Sequence, residues 1–414
     1  MLEHAFARTR VIARLRCGPL GPYLDDLATS LHHEGYAHSS LQRYLRAAEQ
    51  FTQWLQGQGY TVCEMDADLL HRYVSGLTRD RSGKLPKAAQ GLGHFVKFLQ
   101  QQGVMSPRQG PVPLPPIDQW LVEYDTHLAQ VAGLALSTRQ GYRRILRRFI
   151  VACFGSEPPD WQSLTASMIT AFVGQAATRR QRSGRKYPAI AVRSFLRFLV
   201  FRGEISPGLE AAAPLPPQWR HASLPSRLTP QEVARVLAVY QDGTASSLRN
   251  HAMLLLLARL GLRSQDVISL CLDDIDWADG RLNLRPGKSR RARSLPLPYD
   301  VGQAMVAYLQ GGRPQSASRQ VFLRCRPPFR PLTKSAVWWM VRQAFARSGL
   351  VVPAGIASHI FRHTVASQMV NQGVSFKDVA DVLGHQSIET TGIYAKLALD
   401  ALAAVALPWG GGTL

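Results

Sequence analysis

The chain has 414 residues, which is too long for one ordinary domain and suggests two to four. Hydrophobic residues make up 46% of it, enough for packed cores, and this excludes an intrinsically disordered chain. Lysine and arginine number 49 against 28 aspartate and glutamate, giving a formal charge of +21 and a pI near 10.4. Such an excess favours a polyanionic partner, either nucleic acid or an anionic membrane surface.

The membrane alternative has little support in the sequence. The most apolar run, 253–258, is short and is flanked by His251 and Arg259, so we expect no membrane span. The N-terminal segment carries scattered charges and lacks the uninterrupted apolar stretch of a signal peptide. We also find no amphipathic helix of the kind that anchors a protein at a membrane surface.

The cysteines give no sign of a disulfide framework or a zinc site, and this fits a reducing cytoplasm. They are five widely spaced single residues: Cys17, Cys63, Cys153, Cys271 and Cys325. The sequence also lacks a phosphate-binding Gly-rich loop and a cluster of carboxylates. The sequence therefore contains no motif that points to a nucleotide cofactor or a metal.

Two Pro/Gly-rich stretches, 106–116 and 206–217, divide the chain as linkers would. They predict three domains: an extra helical module at 1–110, a second helical module at 117–208 and a third domain at 225–414.

The first two modules resemble each other. Ser39–Tyr44 is echoed by Ser137–Tyr142 at an offset of 98 residues, and Phe95–Leu99 is echoed by Phe195–Leu199 at an offset of 100. Apolar residues recur in both copies with the spacing of an amphipathic helix. In the second copy this stripe consists of Tyr142, Ile145, Leu146, Phe149 and Ile150. We interpret the two segments as a duplicated helical module.

Charge separates the two copies. Residues 118–207 hold 13 Lys/Arg against 6 Asp/Glu, a net charge of +7, whereas 20–107 hold 8 of each. The basic residues of the second copy form a helix face and a loop: Arg139, Arg143, Arg144, Arg147 and Arg148, then Arg179, Arg180, Arg182, Arg185 and Lys186. These clusters suit DNA phosphate contacts, although a charged face exposed to solvent would look similar. For the neutral first copy, protein contact or a decayed duplicate is at least as reasonable as DNA binding.

The third domain is predicted to be mainly α with a small β-sheet, which gives the whole chain this fold class. Thr229 is a predicted N-cap with Pro230 at the first helical position. Helices are predicted at 231–240, 247–260 and 264–271, short strands within 281–298, and further helices toward the C-terminus.

Four residues near the C-terminus suggest chemistry on a phosphodiester. A helix would place His359 and Arg362 on one face, and His385 follows a helix that Gly384 is suited to end. Tyr394 comes nine residues later and could serve as a nucleophile. Each residue alone has a simpler explanation, since an isolated histidine or tyrosine is more often structural than catalytic.

Two cations extend this set. Arg263 lies between an apolar helix and the start of another, where its guanidinium and the helix N-terminus together suit a phosphate. Lys288 lies in a basic turn between the predicted strands, from which its ammonium could reach a scissile phosphate. Considered alone, Arg263 would more often form a surface ion pair, and Lys288 would more often lie at the tip of a basic hairpin.

Together these motifs resemble the catalytic domain of the tyrosine recombinases, or phage integrase family, over residues 228–396. The matching stretches are Leu260–Arg263, Gly287–Leu297, His359–Thr364, Leu383–Ser387 and Thr391–Tyr394. The module at 117–208 resembles the family's SAM-like core-binding domain, which closes a clamp around DNA, and the module at 1–110 is additional to that plan. The family usually has glutamate where this chain has Asp266. That carboxylate is a supporting group, so we expect the shorter residue to be tolerated.

The resemblance implies that Tyr394 attacks a DNA phosphate and forms a 3′-phosphotyrosine and a free 5′-hydroxyl. Arg263, Arg362 and His385 would stabilise the negative charge of the transition state. His359 would accept the tyrosine proton, and Lys288 would protonate the leaving 5′-oxygen. Because the covalent intermediate stores the bond energy, neither ATP nor a metal is needed.

The resemblance also implies a site-specific recombinase or integrase that serves a mobile element and acts on double-stranded DNA in the bacterial cytoplasm, at the nucleoid. The apolar tail that follows Tyr394 and ends in Pro408-Trp409 would dock on a neighbouring subunit of a homotetramer, unless it packs on its own domain. Partner recombinases or accessory DNA-binding proteins could take part.

Two related functions remain as alternatives at the level of sequence. A type IB topoisomerase shares the nucleophile chemistry but relaxes supercoils without exchanging partners. A non-catalytic DNA-binding relative would assist another enzyme, although here all six functional positions are filled.

Overall fold

The computed structural model describes residues 1–18, 20–61, 64–65, 67–77, 87–104, 114–178, 184–215, 226–286, 292–351, 358–385, 387 and 391–397. The chain divides into two compact units, one formed by Met1–Ser106 with His221–Leu414 and the other by Pro107–Arg220. Helices dominate both, and a three-stranded sheet lies in the first unit, so the predicted fold class is confirmed. Among the helices described, none is long and apolar enough to cross a membrane.

The N-terminal part of the first unit is a helical module with its own hydrophobic core. Its helices are α1 Leu2–Ala5, α2 Thr9–Arg16, α3 Gly21–His33, α4 His38–Gly57, α5 Ala67–Gly76 and α6 Lys87–Gln101. Phe51 from α4 and Phe95 and Leu99 from α6 are fully buried in this core. Their burial follows from the helical spacing of apolar residues along each sequence.

In the residues that the structure describes, the second unit contains four α-helices. Its helices are α7 Pro116–Gln130, α8 Leu136–Phe154, α9 Ala166–Thr178 and α10 Lys186–Phe201. The stripe from Tyr142 to Ile150 on α8 is buried, as its spacing predicts, and it packs with Phe195 and Leu199 of α10. Short 3-10 turns at Trp161–Ser163 and Leu209–Ala212 complete the unit.

The four helices α3–α6 correspond in order, and nearly in their spacing along the chain, to the four helices α7–α10. Helix α8 begins at Leu136, 98 residues after α4 begins at His38, and α10 begins at Lys186, 99 residues after α6 begins at Lys87. Phe95 and Phe195 occupy corresponding places in α6 and α10, and both are fully buried. These correspondences support the interpretation of a duplicated module.

The remainder of the first unit contains the sheet and a second set of helices. Its elements are α11 Pro230–Leu237, α12 Ala245–Leu260, α13 Ser264–Ser269, β1 Ile275–Asp276, β2 Arg281–Leu284, β3 Arg293–Pro296, α14 Tyr299–Gly311, α15 Lys334–Arg347, α16 His359–Asn371 and α17 Phe376–Leu383, followed by a 3-10 helix at Gly392–Leu397. The sheet is antiparallel in the order β1-β2-β3, with Leu282 opposite both Ile275 and Leu295.

The local signals in this region explain where its helices begin. Thr229 and Glu232 form a reciprocal capping box at the start of α11, which confirms the predicted N-cap. Helix α12 begins two residues earlier than predicted because the Thr244 hydroxyl accepts from the Ser247 amide. The two-residue strand β1 was not predicted, since it is too short for a periodic pattern.

Helix α12 is the central element of this region. Its residues 252–258 are all buried, and it packs against α14 and α16. It ends at Gly261, whose φ of +59° lies in the left-handed region that favours glycine, and Arg263 follows two residues later.

Candidate active site

Arg263 is half-buried at the start of α13, and its position is fixed at both ends. Its backbone N–H donates to Oδ2 of Asp266 over 3.2 Å, one turn further along α13. Its Nη2 donates to the carbonyl oxygen of Gly384, at the end of α17, over 2.9 Å. The guanidinium therefore lies beside the predicted His385, far away in the sequence.

Asp266 also supports a second arginine, which sequence reasoning did not single out. Nη2 of Arg293, at the start of β3, lies 2.6 Å from Oδ2 of Asp266, and both side chains are largely buried. Nη1 of Arg293 donates to the carbonyl oxygen of Val382 over 3.1 Å. Asp266 thus joins α13 to β3, and Arg293 joins β3 to α17. Arg293 lies in the stretch matched to the family, but its role became visible only once β3 was placed beside α17.

Arg362 is the most deeply buried of the cations, with 4% of the residue exposed. From the first turn of α16 its Nη1 donates to the carbonyl oxygen of Gly261 over 3.0 Å, and its Nη2 donates to that of Leu383. Burial, with Arg263 and Arg293 nearby, lowers the pKa of its guanidinium to about 9. Three arginines around the single carboxylate of Asp266 make a local excess of positive charge that suits an anion.

His385 lies where Gly384 ends α17. As predicted, Gly384 takes the left-handed conformation, with a φ of +63°, and the His385 amide then donates back to Ala380 over 2.9 Å. The His385 side chain is buried, and its Nδ1 lies 2.6 Å from the Thr391 hydroxyl. Burial, together with Arg362 and Arg263, lowers the pKa of His385 to about 4, so the imidazole is neutral at pH 7.

Tyr394 is buried in the 3-10 helix that follows, with 1% of the residue exposed. Its hydroxyl lies 2.8 Å from Nδ1 of His363, and its amide donates to the carbonyl oxygen of Thr391 over 3.0 Å. Burial raises the pKa of Tyr394 to about 12, opposed by the positive charges of Arg362 and Arg263. Those two charges therefore act on the phenol as well as on any anion beside it.

The sequence predicts His359 as the base, and the histidine whose Nδ1 lies against the Tyr394 hydroxyl is His363. His359 is the first residue of α16 and its side chain is exposed, whereas His363 lies one turn further on and is partly buried. Burial, with His359 and Arg362, lowers the pKa of His363 to about 4. The only sequence signal for His363 was its place directly after Arg362 in the family-like stretch.

Several residues predicted from the sequence lie outside the described part of the chain. They are Lys288, the loop residues Arg179, Arg180 and Arg182, and the tail from 398 onward.

The sequence suggested that the arginines of α8 all face solvent, but in the structure some of them do not. Arg144, Arg147 and Arg148 are exposed and Arg143 is partly buried, and Arg147 pairs with Asp118. Arg139 is mostly buried because its guanidinium pairs with Asp125 and donates to the carbonyl oxygen of Leu134. For Arg139 the expectation of an exposed side chain was wrong, since a carboxylate on α7 draws it inward. Arg185 is exposed and Lys186 partly buried.

The described arrangement combines a buried phenol, three guanidinium groups and neutral imidazoles. Within the described residues, no group of three or more His, Cys, Asp or Glu side chains is arranged to hold a metal ion. Guanidinium groups bind phosphate oxygens in a bidentate manner, and a phenol can attack phosphorus. The geometry therefore suits phosphoryl transfer to a tyrosine.

Comparison with known protein families gives two matches. Residues 226–400 match the Phage integrase family, and residues 121–203 match the SAM-like N-terminal domain of phage integrases. The two matched segments contain the candidate active site and the basic helix α8, respectively.

Individual relatives extend these matches. A Sinorhizobium fredii protein that carries an integrase/recombinase name is 37% identical over 396 residues, which is 95% of each chain. The tyrosine recombinase XerD of Mycobacterium tuberculosis is 31% identical over 70% of this chain and 95% of its own.

Solved structures share the fold at lower identity. A lambda integrase tetramer bound to a Holliday junction is 18% identical with a TM-score of 0.53, over 76% of this chain and 90% of that one. The XerH recombinase bound to its difH substrate is 15% identical with a TM-score of 0.51, over 81% and 93%.

Proposed function

Since the chain belongs to the phage integrase family and is a tyrosine-type site-specific recombinase, an enzyme that breaks and rejoins DNA, we propose that Tyr394 is its nucleophile and that Arg263, Arg362 and His385 bind the scissile phosphate. The observation that carries this proposal is the meeting of both arginines at the carbonyl groups of Leu383 and Gly384, directly before His385. Both arginines also lower the pKa of Tyr394 against the effect of burial.

In the proposed first step, the Tyr394 oxygen attacks phosphorus and the bond from phosphorus to the 5′-oxygen breaks. This leaves a 3′-phosphotyrosine and a free 5′-hydroxyl. Negative charge grows on the non-bridging oxygens as phosphorus becomes five-coordinate, and preorganised donors from Arg263, Arg362 and His385 stabilise it. A 5′-hydroxyl from another strand reverses the step, since the phosphotyrosine conserves the bond energy.

Two proton transfers complete the proposal. Lys288 protonates the departing 5′-oxygen, which would otherwise leave as a strongly basic alkoxide. The phenol must lose its proton during attack, because a pKa of about 12 keeps it protonated at neutral pH. His359 is the base predicted from the sequence, and His363 is the histidine in contact with the hydroxyl.

We assign DNA binding by the module at 117–208 to its exposed basic residues. Arg144 and Arg148 on α8 and Arg185 before α10 are exposed, and Arg143 and Lys186 are partly so. Together with the loop arginines Arg179, Arg180 and Arg182, they would contact phosphates of double-stranded DNA and supply affinity and register.

The proposed working form is a homotetramer on two DNA sites, with the tail after Leu397 docked on a neighbouring subunit. The lambda integrase whose fold this chain shares forms a tetramer on a Holliday junction, which supports the proposal. We further propose that the enzyme serves a mobile element and acts on nucleoid DNA, since the Sinorhizobium fredii relative carries an integrase/recombinase name. Partner recombinases or accessory DNA-binding proteins could join the assembly.

The test begins with finding the DNA site. Genomic fragments incubated with the protein are denatured, and those that remain covalently attached are sequenced; a nicked suicide substrate is then built from the recovered site. The wild-type protein should accumulate an adduct on this substrate, and Tyr394→Phe should bind the DNA without forming one. Tyr299→Phe, which changes an exposed tyrosine at the start of α14, is the matched control and should form the adduct normally. Adducts that persist in Tyr394→Phe would overturn the assignment.

A further inference from the structure

Thr391 connects two of the proposed active-site residues. Its hydroxyl lies 2.6 Å from Nδ1 of His385, and its carbonyl oxygen accepts the Tyr394 amide over 3.0 Å. Thr391 is fully buried, and His385 and Tyr394 are nearly so. One residue therefore touches the imidazole through its side chain and the nucleophile's backbone through its main chain.

The contact with Nδ1 bears on which nitrogen of His385 carries the proton. A neutral imidazole has one N–H, and its position is set by the hydrogen bond that the other nitrogen makes. If the threonine hydroxyl donates to Nδ1, the proton lies on Nε2, which can donate to a phosphate oxygen. In the opposite tautomer Nε2 would be an acceptor and would repel that oxygen.

We propose that Thr391 is a positioning residue that holds His385 in the tautomer with its proton on Nε2 and keeps it in register with Tyr394. This inference rests on the proposed function of His385 as a phosphate ligand. The hydrogen bond also joins the two ends of the segment from His385 to Thr391, so rotation of the imidazole would break its contact with the residue that holds the Tyr394 amide. Thr391 itself touches neither the phosphate nor the reacting oxygen in this scheme.

A matched pair of variants tests the role of the hydroxyl. Thr391→Val keeps the shape of the side chain and removes the donor, whereas Thr391→Ser keeps the donor and removes a methyl group. We expect Thr391→Val to lower the single-turnover rate of adduct formation about 10- to 100-fold, by analogy with the loss of a group that orients a metal-ligating histidine. DNA affinity should stay unchanged, and Thr391→Ser should cleave at a rate close to that of the wild type.

Histidine-selective ¹⁵N NMR of the DNA-free protein gives a readout that a role in packing alone would not move. The His385 resonances, assigned by their loss in His385→Gln, should report an unprotonated Nδ1 in the wild type and in Thr391→Ser, and a mixture of tautomers in Thr391→Val. Equal cleavage by the Val and Ser variants, or a protonated Nδ1 in the wild type, would overturn the proposal. If the wild type forms no tyrosine adduct, the proposed function fails instead, and the NMR result still decides the role of Thr391.

Discussion

The hydroxyl of Tyr394 lies 2.8 Å from Nδ1 of His363, and both groups are electrically neutral at pH 7. Burial holds the pKa of the phenol at about 12 and that of the imidazole at about 4. With values so far apart, the proton stays on the tyrosine. In the DNA-free protein, the contact between Tyr394 and His363 therefore keeps the nucleophile protonated and buried.

Variants of His359 and His363 should show which of the two accepts the Tyr394 proton and which only holds the protonated phenol. A general base works best with a pKa near the operating pH, and His363 is far below it, so we retain His359 as the base. His359→Gln should lower the cleavage rate by roughly 100-fold or more. His363→Gln should keep most of the rate, as measured by single-turnover cleavage of the suicide substrate. The reverse ranking would make His363 the base.

Gly384 should be sensitive to a single added methyl group. A Cβ there would lie 2.5 Å from Nη1 of Arg293, in a backbone conformation with a φ of +63°. Gly384→Ala should cost about 1–2 kcal/mol from the backbone and also displace Arg293, so that cleavage falls. Gly373→Ala is the control, because it has a φ of +81° but no heavy atom within 4 Å of the added Cβ. Equal cleavage by the two variants, measured alongside urea unfolding, would contradict the proposed contact.

Asp266 should matter far more to stability than an exposed aspartate in a similar ion pair. Asp266→Asn leaves the largely buried Arg293 without its counter-charge, and breaking a buried pair in this way typically costs about 3–5 kcal/mol. Asp273→Asn breaks the exposed pair with Arg319, which solvent screens, and should change the free energy of unfolding far less. Urea unfolding at pH 7 measures both. A similar loss for the two variants would show that Asp266 does not support the arginine cluster.

The two buried histidines should make the protein less stable in acid. The pKa of His363 and of His385 is about 4 in the folded protein, below the usual value near 6.5, so the unfolded chain binds more protons between these values. The free energy of unfolding should therefore be highest above about pH 6.5 and decrease as the pH falls toward 4. At pH 5 the loss should be about 1–2 kcal/mol per histidine. Urea unfolding at pH 7.5, 6.5 and 5.0 measures this loss. The double variant His363→Gln/His385→Gln should show a shallower dependence, and an unchanged one would contradict the assignment.

The arginines of α8 should divide into two groups by their effect on DNA binding. Arg144→Gln and Arg148→Gln remove exposed charges and should each reduce the slope of log affinity against log salt by about 1 if the residue contacts a phosphate. Arg139→Gln should leave that slope unchanged and destabilise the module, because Arg139 pairs with Asp125. Fluorescence anisotropy at several salt concentrations gives the slopes. A reduced slope for Arg139→Gln alone would reverse the assignment.

Local sequence signals predicted the helices around the site well. Thr229 and Gly384 act as a helix start and a helix stop because capping depends on a few adjacent residues. The same signals could not show that Arg293 reaches Asp266 or that Asp125 draws Arg139 inward. Those contacts depend on how β3 packs beside α17 and how α7 packs on α8, which periodicity within one element does not encode.

The contact between His363 and Tyr394 escaped prediction for a related reason. A helix with histidines at both positions 359 and 363 presents two imidazoles one turn apart, and the sequence cannot say which of them the returning 3-10 helix will meet. The family resemblance pointed to the first, and the fold places the second against the phenol.

The carbonyl groups of Leu383 and Gly384 each accept a hydrogen bond from one of the two arginines, and other N–H groups of each guanidinium remain for a phosphate. Each guanidinium has five N–H donors in a rigid plane. Arg263 donates from Nη2 to Gly384, and Arg362 donates from Nη1 to Gly261 and from Nη2 to Leu383, so the direction of the remaining donors is fixed before any DNA arrives. Both guanidinium groups are thus oriented before the DNA binds. The two side chains therefore lose little additional rotational freedom on binding. A lysine at either position would have a single charged nitrogen for two tasks, and holding the carbonyl would compete with holding the phosphate.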